Sequence, residues 1–179
     1  MDSPSGGVRP KPLVDFYRGE RPDSAGRWLR EIRSWGPDRL EHTHDYIQWL
    51  FPARSRSQFN ASAPTLDEEQ IRDFRADERL QAELILSFHQ MLAFYGFAPG
   101  ERDGAVTVER SPDWAERSRA WLSPGNHNFL RITRILTCLR VLGLRDHAQA
   151  FRTALEDLYR ESPEVIGSRT VEFWRSAAG

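Results

Sequence analysis

Two groups of residues have types and spacings that suit chemistry, and the first is the trio His42, His44 and Asp45. Imidazole and carboxylate groups are common metal ligands, so the trio at first suggests a cation site. Residues two apart on a helix point about 200° apart, however, so His42 and His44 would not face one ion together. Their partners would have to be distant residues such as His89 or His127. We therefore expect hydrogen-bonded structural histidines and no metal site.

The second group is the pair Arg131 and Arg134, which lies in an otherwise strongly apolar stretch. A partly buried guanidinium needs a carboxylate, a set of carbonyl oxygens or a bound anion. One interpretation is an internal salt bridge, with Asp45 or Glu41 as the acidic partner. The other is a site for an anion or a peptide carboxylate, and the sequence leaves both open.

Motifs of the common catalytic and nucleotide-binding sites do not occur in this sequence. It has no Gly-x-Ser-x-Gly, no phosphate-binding glycine loop, no His-Glu-x-x-His and no Cys-x-x-Cys. The acidic pairs Asp67-Glu68 and Asp77-Glu78 fit helix starts, where the helix dipole favours negative charge. We therefore expect no enzymatic activity.

Arginine supplies nearly all the positive charge, and this composition suggests a second class of function. If the arginines shared one surface, the domain would be a nucleic-acid or anion-binding module. The residues concerned are Arg54, Arg56, Arg117, Arg119, Arg131, Arg134, Arg140 and Arg145. The net charge of −1 gives no general attraction to nucleic acid, so ion-paired or solvated arginines are the favoured interpretation.

Helical spacing of apolar residues runs through most of the chain and predicts an all-α fold. The strongest signal covers residues 128–142, where apolar side chains occupy most of the circumference and indicate a buried central helix. A further helix is predicted over residues 38–51 and ends before Pro52; we call residues 38–52 the signature segment. We expect a single domain, a bundle of six or seven helices built around the 128–142 helix.

Two parts of the chain lack this helical spacing. Residues 97–125 contain several glycines and prolines and predict a long irregular loop packed across one side of the bundle. Residues 1–12 are rich in proline and glycine and predict a flexible leader. The domain itself is then expected over residues 13–175.

Several further features bear on location and cofactors. No apolar run approaches the roughly 20 residues that a membrane-spanning helix needs. The first residues lack the charged start and apolar core of a secretion signal, so we expect a soluble, cytoplasmic protein. Cys138 is the only cysteine, which excludes an internal disulfide and a thiolate-rich metal site. We expect no cofactor.

Three blocks of the sequence carry a resemblance to a known family. Residues 40–52 read Leu-Glu-His-Thr-His-Asp-Tyr-Ile-Gln-Trp-Leu-Phe-Pro, and residues 91–96 read Met-Leu-Ala-Phe-Tyr-Gly. Residues 127–136 read His-Asn-Phe-Leu-Arg-Ile-Thr-Arg-Ile-Leu. In this order the blocks resemble the conserved domain of the opioid growth factor receptors, over about residues 13–175.

The resemblance implies a binding domain and not an enzyme. Animal members of that family are described as receptors for a short opioid peptide, Met-enkephalin, and are associated with the nucleus and its envelope. For this chain the resemblance implies a peptide or protein partner. It also implies nuclear location or peripheral membrane association, without any membrane-spanning segment. The family supplies no ligand-contacting residues that can be transferred to positions of this sequence.

The leading hypothesis is non-enzymatic binding of a peptide or small ligand in a groove between the signature segment and the 128–142 helix. The proposed contacts combine aromatic, basic and polar groups. They are Tyr46 and Trp49 for aromatic surface, Arg131 or Arg134 for a carboxylate, and His44, His127 and Asn128 for polar contacts. The alternatives are the arginine-based nucleic-acid or anion module, and a purely structural interaction domain in which these groups only stabilise the fold.

Overall fold

The computed structural model describes residues 10–56 and 62–179, and helices dominate this part of the chain. The helices are α1 (Pro12–Tyr17), α2 (Leu29–Arg33), α3 (Pro37–His42), α4 (Ile47–Leu50), α5 (Glu68–Ala76), α6 (Glu78–Tyr95), α7 (Trp114–Trp121), α8 (Asn128–Val141), α9 (Arg145–Glu161), α10 (Pro163–Ile166) and α11 (Ser168–Ala178). The strands are β1 (Phe97–Arg102) and β2 (Ala105–Arg110). Within the described residues, no helix has the length and apolarity needed to cross a bilayer.

Helix α8 lies at the centre of the fold, as its apolar circumference predicts. Ile132, Ile135, Leu136 and Leu139 have no exposed surface. The helix packs against α9 and α11, while α9 also packs against β2. Each of these buried side chains contributes about 1.5–3 kcal/mol of hydrophobic stabilisation. The prediction of a central helix over 128–142 is confirmed to within one residue.

The signature segment is two short helices and not the single helix that was predicted. Helix α3 ends at His42, residue Thr43 is extended (φ −98°, ψ 125°), and α4 begins only at Ile47. A continuous helix would place Trp49 on the side opposite the apolar stripe. The break turns the chain, so that both Tyr46 and Trp49 are buried in the core.

Residues 97–125 contain two strands and a helix, so the prediction of an irregular loop is wrong. The all-α prediction is confirmed in that helices dominate the described residues, but the fold also contains this small antiparallel sheet. Strands β1 and β2 form an antiparallel hairpin in which Arg102 pairs with Ala105. The two-residue connection is Asp103-Gly104, with positive φ at both residues (53° and 78°). This dipeptide and backbone are typical of the tightest hairpin turns. Helix α7 follows the hairpin, and the described residues contain eleven helices where six or seven were expected.

The flexible leader predicted for residues 1–12 falls mostly on residues 1–9, which lie outside the described residues. The chain is placed from Pro10 onward, and the Lys11 ammonium lies 2.7 Å from a carboxylate oxygen of both Glu69 and Asp73. Helix α1 then packs against α5 and α6. Its Tyr17 hydroxyl donates a hydrogen bond to the carbonyl of Leu50, which ties α4 to this side of the core.

Gly96 allows α7 to approach the end of α6 closely. It terminates α6 with φ 86°, and a Cβ added there would lie 2.9 Å from Cβ of Arg117 and 3.1 Å from Cα of Trp114. The Trp121 indole donates to the carbonyl of Tyr95 at 3.0 Å, which fixes α7 in this position. The last residue of the 91–96 block is therefore glycine for two reasons, its backbone conformation and the space available.

Gly96→Ala should destabilise the protein more than Gly104→Ala does. Gly104 has a similar φ but no atom within 4 Å of the added Cβ, so it isolates the backbone cost of about 1–2 kcal/mol. The steric contacts at Gly96 should add about 1 kcal/mol or more to the loss of unfolding free energy. Urea denaturation of both variants measures the difference. Equal losses would contradict close packing of α7 on α6.

Candidate functional site

A groove runs between the signature segment and α8, where the sequence predicts one. It encloses a cavity of about 630 Å³. One wall is formed by His44, Ile47 and Gln48, and the opposite wall is formed by α8 residues that include Leu130 and Arg134. Helix α8 presents these residues because its other faces are taken by core packing.

Arg131, a residue of α8, lies at the base of the groove and caps the C-terminal end of helix α3. Its guanidinium is buried and donates hydrogen bonds to three carbonyls of one short segment: Leu40 at 3.0 Å, Glu41 at 3.3 Å and Thr43 at 2.9 Å. The last carbonyls of a helix have no partner within the helix. Arg131 supplies that partner, and the chain can therefore leave the helical conformation at Thr43 with its backbone groups satisfied.

The acidic partner of Arg131 is Glu41, which was one of the two carboxylates predicted. A carboxylate oxygen of Glu41 lies 3.8 Å from Nη1 of Arg131 and accepts a hydrogen bond from the Asn128 amide at 3.0 Å. The other predicted partner, Asp45, instead forms an ion pair with Arg27 at 2.8 Å. The internal salt-bridge interpretation therefore holds for Arg131.

Two histidines complete this polar cluster at one end of the groove. Nδ1 of His44 lies 3.1 Å from Nη2 of Arg131, and it must accept this hydrogen bond because a guanidinium has only donors. The ring of His127 lies 5.4 Å from that of His44, and its Nε2 is 3.4 Å from a Glu41 oxygen. Burial, followed by the neighbouring Arg131 charge, lowers the pKa of His127 below its ordinary value. At neutral pH the His127 ring is therefore a neutral hydrogen-bonding group.

Arg134 differs from Arg131 although it lies one helical turn away on the same face. It is half-buried, and its Nη1 donates to the carbonyl of Phe51 at 3.2 Å. Within residues 10–56 and 62–179, no carboxylate lies in ion-pairing distance of it. Burial lowers the pKa of Arg134, because the charged form loses hydration. In the part of the chain that the structure describes, this guanidinium faces the groove and donates only to the Phe51 carbonyl.

Three of the predicted site residues lie in the core and not on the groove walls. Tyr46 is fully buried, its ring 5.7 Å from the Arg131 guanidinium, and burial raises the pKa of its hydroxyl to about 12. Trp49 is buried against Phe16, with ring centroids 5.3 Å apart. Asn128 is also buried, and its side-chain amide donates a hydrogen bond to the Glu41 carboxylate. The structure thus brings His44, His127, Arg131 and Arg134 together along the groove, and places these three behind it.

Sequence reasoning missed the apolar part of the groove. The apolar circumference of residues 128–142 predicts a buried Leu130, but 59% of its surface is exposed beside the groove. Ile47 lies opposite on α4. The two arginines on the same face were the available signal, since a face that carries two long cationic side chains is seldom fully buried.

Arg131→Ala should lower the free energy of unfolding by about 3 kcal/mol, because it leaves buried carbonyls and the Glu41 carboxylate without their donor. Arg131→Lys should recover only part of this loss, since an ammonium cannot reproduce the planar fork. Urea denaturation measures both changes. The matched control is Arg30→Ala on the exposed side of α2, with an expected change within about 0.5 kcal/mol. A similar small change for Arg131→Ala would contradict the capping role.

Comparison with known proteins identifies the family. The opioid growth factor receptor (OGFr) conserved region matches residues 16–176. The opioid growth factor receptor of Homo sapiens is 38% identical over 162 residues, covering 86% of this chain and 23% of that protein. The opioid growth factor receptor-like protein 1 of Xenopus tropicalis is 34% identical over 169 residues, covering 91% of this chain and 31% of that protein.

The opioid growth factor receptor of Rattus norvegicus is 40% identical over 143 residues, covering 76% of this chain and 24% of that protein. The chain thus spans between about a fifth and a third of the curated relatives it matches. No solved structure matches it significantly. The match over nearly the whole chain shows that it belongs to the opioid growth factor receptor conserved-region family.

Proposed function

We propose that this domain binds a short peptide in the groove between α4 and α8, with a peptide carboxylate paired to Arg134. The observation that carries the proposal is the state of Arg134 itself. It is a half-buried cation with no carboxylate partner among the described residues, and it faces a cavity of ligand size. Planar guanidinium groups bind carboxylates through two parallel hydrogen bonds, so a peptide carboxylate suits this position.

The rest of the groove supplies the contacts that a short peptide needs. A volume of about 630 Å³ is in the range of small-ligand sites. Leu130 is exposed and offers apolar surface on one wall, while the largely buried Ile47 adds only a small apolar area on the other. Thr137 adds a hydroxyl further along α8. Arg131 contributes little to the ligand, because its donors are already used by the carbonyls of α3.

The names of the relatives agree with a binding role. They are called receptors for an opioid growth factor, and this chain matches only their conserved region. We infer binding and not catalysis because the two histidines of the groove belong to a hydrogen-bonded structural cluster. Glu41, His44 and His127 all contact Arg131 or each other within a structural cluster. The opioid peptide is one candidate for the ligand, and the groove sets no requirement for its particular sequence.

The proposal predicts binding that depends on a free carboxylate. The immobilised domain is incubated with a random pool of pentapeptides that have free carboxyl termini. The peptides that it retains are identified and titrated into the domain by calorimetry. We expect saturable binding that weakens at least about tenfold, about 1.4 kcal/mol, when the same peptides are amidated. Arg134→Gln should produce a similar loss, whereas Arg30→Gln, outside the groove, should not change the affinity.

Two outcomes would overturn the proposal: no saturable binding from the pool, or binding that neither amidation nor Arg134→Gln weakens. The opioid peptide is tested separately, by titration with Tyr-Gly-Gly-Phe-Met and with a scrambled peptide of the same composition. We expect the ordered peptide to give no heat beyond that of the scrambled one, since both carry the carboxylate and apolar groups that the groove contacts. Binding lost on scrambling would instead extend the opioid ligand to this chain.

A further inference from the structure

A second cavity, next to the groove, is lined by four arginines. It measures about 330 Å³ and lies where the ends of α5 and α8 meet the start of α9. We call it the arginine pocket; its cations are Arg54, Arg75, Arg140 and Arg145. Three of these belong to the arginines that the sequence suggested for a shared surface, and Arg75 was missed. Arg117, from the same predicted set, lies elsewhere, beneath Gly96.

The partners of these arginines leave most of their charge uncompensated. Arg75 donates Nε to the carbonyl of Val141, and Arg140 donates Nε to the carbonyl of Ala177, both at 2.9 Å. Each has five N–H donors, so each keeps its terminal fork for another acceptor. Arg54 forms an ion pair with Glu68. Arg145 has no partner among the described residues, so four guanidinium groups share one carboxylate.

Four cations around one small cavity repel one another, and a bound anion reverses that cost. The hydrogen bonds by which Arg75 and Arg140 cap the carbonyl ends of α8 and α11 offset part of this repulsion. That capping role explains why Arg75 and Arg140 lie at the pocket. It does not explain why Arg145 also lines the pocket. A ligand with several acidic oxygens can use all the remaining forks at once. A single carboxylate has too few acceptors to do so.

We propose that the arginine pocket binds the dianion of a phosphate monoester. A phosphate offers three terminal oxygens and close to two negative charges at pH 7, which match the free forks of the pocket. The cavity holds a phosphate with a few attached atoms, and is too small for a nucleic-acid strand. The near-neutral charge of the chain also argues against a long polyanion.

The phosphate that we infer is carried by a phosphorylated side chain of the peptide in the groove, and this step rests on the proposed function. The two cavities share Ala53, Ser55 and Thr137 as wall residues, so one ligand can extend from one into the other. Arg134 then pairs with the peptide carboxylate while the arginine pocket pairs with the phosphate. Two anchors on one ligand would raise its affinity well above that of either alone.

The pocket itself is tested with phenyl phosphate, titrated by calorimetry at low ionic strength, with phenyl sulfonate as the singly charged comparison. We expect phenyl phosphate to bind at least about tenfold more tightly than the sulfonate. Arg145→Gln should weaken it at least tenfold and leave the fold intact, because Arg145 is exposed. The control is Arg119→Gln, an exposed arginine of α7 that lies in neither cavity. Absence of phenyl phosphate binding, or equal losses in both variants, would overturn the proposal.

The link to the peptide is tested with phosphoserine placed at successive positions of a groove-binding peptide. At least one position should lower the Kd tenfold or more, and Arg145→Gln should abolish that gain while leaving the unphosphorylated peptide unaffected. If no position gains affinity, the link is overturned. If phenyl phosphate binds but no unphosphorylated peptide binds or responds to Arg134→Gln, the groove proposal fails and the phosphate pocket stands.

Discussion

The arrangement of the candidate site depends on one interaction, the hydrogen bonding of the buried Arg131 guanidinium to the carbonyls that end α3. Those bonds satisfy the carbonyl groups at the end of α3, so the chain can leave the helical conformation at Thr43. The following residues can then turn and bury Tyr46 and Trp49, while α4 becomes one wall of the groove. Without this cap, the signature segment would have to expose either its aromatic residues or its carbonyl groups to make the same turn.

Two arginines one turn apart on α8 therefore have different tasks. Arg131 is saturated by backbone carbonyls and Glu41, so it is part of the fold. Among the described residues Arg134 donates to a single carbonyl, so its other donors are open to the proposed ligand. The same distinction separates the arginines of the neighbouring pocket, where Arg75 and Arg140 each combine a capping bond with a free fork. In this protein the function of an arginine follows from how many of its five donors the backbone has already used.

The sequence predicted the central helix and the position of the groove because both depend on local periodicity. It did not predict the break at Thr43, since that break is fixed by a residue 88 positions away. The burial of Tyr46 and Trp49 follows from the break and was missed with it. The hairpin is a different case: Asp103-Gly104 is a local signal, and it was outweighed by the surrounding glycines and prolines. Which arginines have free donors depends on tertiary contacts alone.

Hydrogen exchange measures the central claim most directly, because it reports on α4 and α8 separately in one experiment. The amides of Leu50 and Phe51 donate to the carbonyls of Tyr46 and Ile47 within α4. If Arg131 holds the signature segment in place, Arg131→Ala should greatly increase the hydrogen-exchange rates of these α4 amides. The amides of the buried residues in the middle of α8 should remain protected. Equal loss of protection in both helices, or no loss in α4, would contradict the account.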